Sequence, residues 1–226
     1  MNLEPQQWAA AVVAAAGTAA VIVAACVLLF LNPVWVSFEQ DRSGVTQLTG
    51  YSSTEVRNVT GAILSDLVFG PGTFDVAVNG QPVLDERERN HMAEVRGVFG
   101  AAGLAALAAA VLLVAAALYG RGRRWFWQAT ATGAKVLIGA VIGVGIVLGL
   151  FFDQVFELFH RLFFAAGSYT FDIGTEKLVQ LFPDQFWFET SLALAFAILT
   201  IAALVMIGSG AMARRASSGS AGGTAP

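Results

Sequence analysis

Residues 85–119 read DERERNHMAEVRGVFGAAGLAALAAAVLLVAAALY. The opening part, 85–96, is the densest charge run in the chain, and no charged side chain occurs in 97–119. A helix that crosses a membrane needs roughly 20 mostly apolar residues. It must span about 30 Å of hydrocarbon at about 1.5 Å per residue, with every backbone group bonded internally. Residues 97–119 meet that requirement, so the charge run beside them ends at a membrane boundary. Working outward, residues 8–31, 133–152 and 190–209 meet it too, the middle one by letting Lys135 snorkel to the interface. The sequence therefore predicts an all-α membrane protein with four transmembrane helices. Composition agrees, with 56% of 226 residues hydrophobic and 13% charged, where a soluble domain carries about a quarter charged.

Basic residues orient the spans. Arg121, Arg123 and Arg124 follow the second helix, and Arg214 and Arg215 follow the fourth. Excess positive charge marks the cytoplasmic side. Loop 120–132 and both termini are thus expected to be cytoplasmic, in a multi-pass membrane protein. Residues 128–135 read as a wet stretch, and tail 210–226, small and Ser- and Gly-rich, as disordered. Trp125, Phe126 and Trp127 are expected to form an inner aromatic belt, and Phe186, Trp187 and Phe188 an outer one. Gly139, Gly143, Gly145 and Gly149 follow small-xxx-small spacing, which suits close helix packing. Val23-Ala24-Ala25-Cys26 resembles a lipidation box, but no positive charge precedes it and the apolar run continues past the cysteine. A membrane helix is the better reading. A lone cysteine excludes an intramolecular disulfide, and a net charge of −3 without a basic block argues against nucleic acid.

This topology leaves residues 32–96 and 153–189 outside, as a small extracellular α/β cap. In the first segment, Ser52-Ser53-Thr54-Glu55 is a capping-box pattern. The helix it opens places Val56, Val59, Ile63 and Leu67 on one stripe, and Gly70-Pro71-Gly72 ends it. Asn79-Gly80 between apolar alternations signals a hairpin.

The chain holds two histidines, His91 and His160. His91 lies in the charge run. That run reads either as a solvated start to a helix, held by i,i+3 and i,i+4 pairs, or as a site of proton transfer at the membrane edge. In the second segment, Asp153, Glu157 and His160 share one helix face, so Glu157 is placed to hold an imidazole nitrogen. Phe152, Phe156, Phe159 and Phe163 form the neighbouring stripe, for packing, for acyl chains, or for both. No His-Glu-x-x-His occurs and no ligand pair has the usual spacing, so no metal is expected. Nor is there a Gly-x-Ser-x-Gly or a phosphate-binding glycine loop. General acid–base catalysis by two imidazoles, without a cofactor, is what remains.

Two motifs carry a resemblance. The first is Arg87-Glu88-x-x-His91-Met92-x-Glu94-Val95-Arg96, followed by Phe99. The second is Phe159-His160-x-Leu162-x-Phe164-x-x-Gly167-x-Tyr169-x-Phe171-Asp172, then Leu178-x-x-Leu181-Phe182-Pro183-x-x-Phe186-Trp187. Together they resemble the lipoprotein intramolecular transacylase family of small four-helix bacterial membrane proteins, over residues 8–208. The family more often has Asp at Glu94, Lys at Arg96, Trp at Tyr169 and Asp-Pro at Asp172-Ile173. The resemblance implies four helices under an extracellular cap, with His91 and His160 catalytic at the interface. It implies an intramolecular O-to-N acyltransferase that moves the sn-2 acyl chain of a diacylglyceryl-cysteine lipoprotein to its N-terminal amine. Partners would then be membrane lipids and the diacylated lipoprotein. Glu88, Glu157, Asp172, Arg87 and Arg96 are candidates to orient the imidazoles or the substrate. Phe156, Phe159, Phe163, Phe164, Tyr169 and Trp187 are candidates to line the lipid slot. The alternative is a non-catalytic lipid- or lipoprotein-binding accessory protein. Acid and base stay unassigned between the two rings.

Overall fold

The computed structural model describes residues 4–221, with side chains through Ser218. In chain order the elements are α1 (Pro5–Phe30), α2 (Pro33–Arg42), α3 (Val45–Thr49), α4 (Ser53–Val68), β1 (Ala77–Val78), β2 (Gln81–Pro82), α5 (Glu86–Gly120), α6 (Arg124–Leu150), α7 (Phe152–Phe163), α8 (Lys177–Leu181) and α9 (Asp184–Ala221). Four of them, α1, α5, α6 and α9, are long and apolar enough to cross a membrane. Their side chains explain why they need one. Leu28, Leu104, Leu118, Phe196 and Leu204 all stand out from the protein. At roughly 25 cal/mol per Å² of apolar area, such surface is unfavourable in water and at home in hydrocarbon.

The chain divides into two compact units. The first contains α1 up to Cys26, α5 from Gly103, α6 up to Ile146 and α9 from Ala195. Small residues let its helices approach. A Cβ at Gly17 would meet the Ala109 carbonyl oxygen and Leu113 Cβ at 3.2 Å each, and Gly133 lies directly against the Ala15 carbonyl. Ala14, Ala116, Trp125, Phe126 and Ala129 form a core there. Several expectations are corrected by this packing. The loop expected over residues 120–132 shrinks to 121–123, because α6 already begins at Arg124. Residues 128–135 are helical, with Ala129, Thr130, Gly133 and Ala134 buried. Trp125 and Phe126 are core residues rather than a belt. A Cβ added at Gly139, Gly143, Gly145 or Gly149 would meet no neighbour within 4 Å, so Gly17 and Gly133 are the close-packing positions instead. Cys26 is buried, and α1 continues past it to Phe30. The expected disorder of the tail is overturned for residues 210–221, which continue α9 through good helix formers such as Ala211, Met212, Ala213 and Ala216. Residues 222–226 lie outside the described residues.

The second unit contains Val27–Ala102 and Val147–Leu194. The sequence reading missed α2, although its start is written in Asn32-Pro33. The Asn32 side chain accepts the amides of Val34 and Trp35, and Pro33 occupies the first helical position. Ser52 and Glu55 complete a capping box on α4. Asn79 and Gly80 both take positive φ, 51° and 77°, which a tight two-residue hairpin between β1 and β2 requires. The core gathers Val56, Val59, Ile63 and Leu67 of α4 with Phe74, Leu84, Met92 of α5, and Leu178 and Leu181 of α8. Buried polar groups tie three helices together: Gln40 donates to the Leu181 carbonyl at 2.9 Å and accepts from Thr60 at 3.0 Å.

Candidate active site

His91 and His160 both belong to the second unit. Asp85 and Glu88 launch α5, since the Asp85 side chain accepts the Glu88 amide at 2.8 Å and Glu88 accepts the Asp85 amide at 2.7 Å. One turn on stands His91, buried beside Met92. His160 comes from the last turn of α7. Its ring lies 6.1 Å from that of His91, centroid to centroid, with the planes 26° apart.

Aromatic rings surround the pair. Phe164 approaches His91 at 4.8 Å and His160 at 5.4 Å. Phe171 lies 5.5 Å from His91. Phe156, Tyr169 and Phe159 lie 4.3, 5.1 and 5.5 Å from His160. The loop that follows α7 supplies Phe164, Tyr169 and Phe171. Gly167 lets it turn, with φ at +85°.

The two imidazoles differ in their partners. His160 Nδ1 lies 2.8 Å from the Phe156 carbonyl oxygen, one turn back on α7. A carbonyl only accepts, so Nδ1 carries the hydrogen and Nε2 of the neutral ring keeps its lone pair. His91 Nδ1 is buried and makes no hydrogen bond among the described residues. The Glu94 carboxylate oxygen Oε2 lies 3.7 Å away, beyond hydrogen-bonding length. His91 precedes the apolar run of α5. Its burial holds the imidazole below its ordinary pKa; charge on His160 pushes the same way and Glu94 opposes both.

A family model described as lipoprotein intramolecular transacylase Lit matches residues 12–187, more than half of the chain. The chain belongs to this family. The fold is similar to that of the membrane-integral lipoprotein intramolecular transacylase Lit from Bacillus cereus. That structure superposes with a TM-score of 0.79 at 17% identity, covering 93% of this chain and 97% of that one. A structure of the B. cereus protein with a histidine-to-arginine substitution gives a TM-score of 0.77 at 17% identity, covering 93% of each chain. No curated protein matches the chain. At such identity the likeness is one of fold, and a multi-pass helical membrane protein is what it shows.

In this Lit-family chain the expected orienting residues turn elsewhere. Glu157 does not hold His160, because the Phe156 carbonyl already occupies Nδ1. Glu157 instead accepts from Arg161 at 2.7 Å and from the Tyr169 hydroxyl at 3.3 Å. Glu88 is 2% exposed, and its other oxygen accepts the Leu178 amide at 2.6 Å, which fastens α5 to α8. Burial pushes its carboxyl up from the ordinary value, and the two amides pull it back. Asp172 accepts the Gly174 amide at 2.9 Å and so shapes a turn. The Arg96 guanidinium rests against Gly72. Arg87 stacks on Phe171 at 4.8 Å, donates to the Thr170 carbonyl at 2.8 Å and pairs with Glu176. It therefore braces the ring that faces His91. Phe163 and Trp187 touch the wall at one remove, through Phe159 and Phe156. The sequence reading gave no role to Glu94, Ser168 or Phe171. The i,i+3 spacing from His91 was a signal for the first of these, whereas the other two depend on a loop path that no local pattern specifies. A cavity of about 370 Å³ lies apart from all of this, among Glu55, Asn58, Val59, Ala62 and residues 76–79.

Proposed function

We propose that this chain is a lipoprotein intramolecular transacylase of the bacterial plasma membrane. It takes a diacylglyceryl-cysteine lipoprotein and moves the sn-2 acyl chain to the N-terminal amine. The observation that carries the reading is the pairing of the chain's two histidines, side by side within an aromatic wall. Family membership supports the substrate class. The distribution of Arg121, Arg123, Arg124, Arg214 and Arg215 supports cytoplasmic termini, with residues 32–96 and 153–189 on the outer face as a cap.

The chemistry needs a base and a hydrogen-bond donor. His160 is the base, since its Nε2 lone pair is left available by the Nδ1 contact. His91 is the donor, placed to stabilise charge on the ester oxygens and to deliver a proton to the leaving oxygen. The amine nitrogen bonds to the acyl carbon and the sn-2 C–O bond breaks. One ammonium proton ends on the freed glycerol oxygen, and another leaves to solvent. Amine and ester belong to one molecule, so the protein's main contribution is to fold the substrate back on itself. Such orientation supplies up to about 7–11 kcal/mol in favourable cases. Phe156, Phe159, Phe164, Tyr169 and Phe171 keep water from the ester, so that aminolysis outruns hydrolysis.

The test is mass spectrometry of the N-terminal lipopeptide of a reporter lipoprotein, with and without this protein. N-acyl-S-monoacylglyceryl cysteine is the expected product, and it should vanish in His91→Gln and His160→Gln. Loss of one chain without N-acylation would make the protein a hydrolase. An unchanged lipid pattern would make it a non-catalytic binding protein.

A further inference from the structure

Each imidazole of an acid–base pair needs a partner on its far nitrogen, and His91 lacks one. Its Nδ1 is buried without a hydrogen bond. Four nearby carboxylates are engaged elsewhere: Glu157 with Arg161 and Tyr169, Glu88 with two backbone amides, Asp172 with Gly174, and Glu176 with Arg87. Glu94, one turn beyond His91 on α5, is the carboxylate within 4 Å of an imidazole nitrogen among the described residues. Its Oε2 accepts from the Ser168 hydroxyl at 2.7 Å. That hydroxyl also lies 3.0 Å from the Ala165 carbonyl oxygen. One hydrogen serves only one acceptor at a time, so Ser168 retains a partner when Glu94 moves. Closing the 3.7 Å gap to a normal bond takes a shift of about 0.8 Å.

We propose that Glu94, steadied by Ser168, is the positioning residue for His91: its carboxylate closes onto the Nδ1–H of His91 as that ring carries positive charge. Nε2 is thereby left as the donor to the substrate. This rests on the transacylase reading for its catalytic meaning, but the pairing itself does not. The groups facing His91 are Glu94 from its own helix, His160 from α7, and Phe164 and Phe171 from the loop, with the Arg87 guanidinium stacked on Phe171. Burial and His160 disfavour a charged His91, and Glu94 is the one group of opposite sign among them.

The chain's two histidines make the test direct, since histidine-selective labelling yields two imidazole signals in the full-length protein in nanodiscs. His160→Gln assigns them. In Glu94→Gln the His91 titration midpoint should move to lower pH, and Glu94→Asp should restore part of the shift. Ser168→Ala should move it the same way by less. N-acylation of the reporter should fall about 10- to 100-fold in Glu94→Gln, the effect of one charge-assisted hydrogen bond, with the basic limb of kcat/KM displaced to lower pH. An unmoved His91 midpoint overturns the pairing. A lost rate with an unchanged pH profile overturns the positioning role. Should the wild type transfer no acyl chain while His91 still responds to Glu94→Gln, the pairing stands and the transacylase reading falls.

Discussion

Replacing Glu88 by glutamine tests how the site is fastened. Glu88 is 2% exposed, and its two oxygens accept the amides of Leu178 at 2.6 Å and Asp85 at 2.7 Å. Glutamine keeps one acceptor and turns an NH2 toward the other amide, so one buried N–H loses its partner. An orphaned buried donor costs about 1–3 kcal/mol. Alanine orphans both, for about 2–6 kcal/mol on the same scale. The damage is local to the α5–α8 junction, which anchors one end of the loop bearing Phe164, Tyr169 and Phe171. Thermal unfolding of the detergent-solubilised protein, followed by tryptophan fluorescence, should rank wild type above Glu88→Gln above Glu88→Ala. Acyl transfer should fall in the same order well below the melting temperature. If glutamine melts together with the wild type, or alanine is no worse than glutamine, the carboxylate does not bridge the two amides.

Glu39 is 1% exposed, and burial, followed by the hydrogen bond and charge of Glu189, pushes its carboxyl up to about 7. A raised carboxyl favours the folded state while protonated. Its contribution is present below the ordinary value of 4.5 and is lost as pH rises through about 7. Melting temperatures measured between pH 5 and 8 should therefore fall less in Glu39→Gln than in the wild type. Gly133→Ala drives a methyl into the Ala15 carbonyl, which is backbone and cannot turn aside. It should destabilise by about 1–3 kcal/mol, read as a lower melting temperature with His91 and His160 signals unchanged. Phe164 touches both imidazoles, so Phe164→Ala should admit water. Free fatty acid released per N-acylated lipopeptide should rise, as scored by mass spectrometry.

Much of the architecture was legible because its causes are local. A run of apolar residues needs hydrocarbon wherever it occurs. Ser52 and Glu55 cap α4 through bonds three residues apart, and Asn79-Gly80 turns a hairpin through its own dihedral freedom. Asn32-Pro33 is an equally local signal, for the end of α1 and the start of α2 together. The errors were of another kind. Trp125 and Phe126 look like any interfacial aromatics until Ala14 and Ala116 are seen against them. Residues 128–135 look wet until Gly133 meets Ala15.

The candidate site divides along the same line. Scarcity alone singled out His91 and His160, because a chain with two imidazoles leaves few choices. Residue type and spacing also marked the aromatic stripe on α7. What each group does was decided by tertiary structure. Glu157 is three residues from His160 and still does not hold it, since the Phe156 carbonyl reaches the nitrogen first. Glu94 comes within 3.7 Å of the buried His91 Nδ1, and Ser168 reaches Glu94 from far along the chain. Hydrophobic length and local capping are properties of a segment and can be read in one dimension. Proton affinity and hydrogen-bond choice depend on which groups are excluded from water together, and only the packed chain settles that.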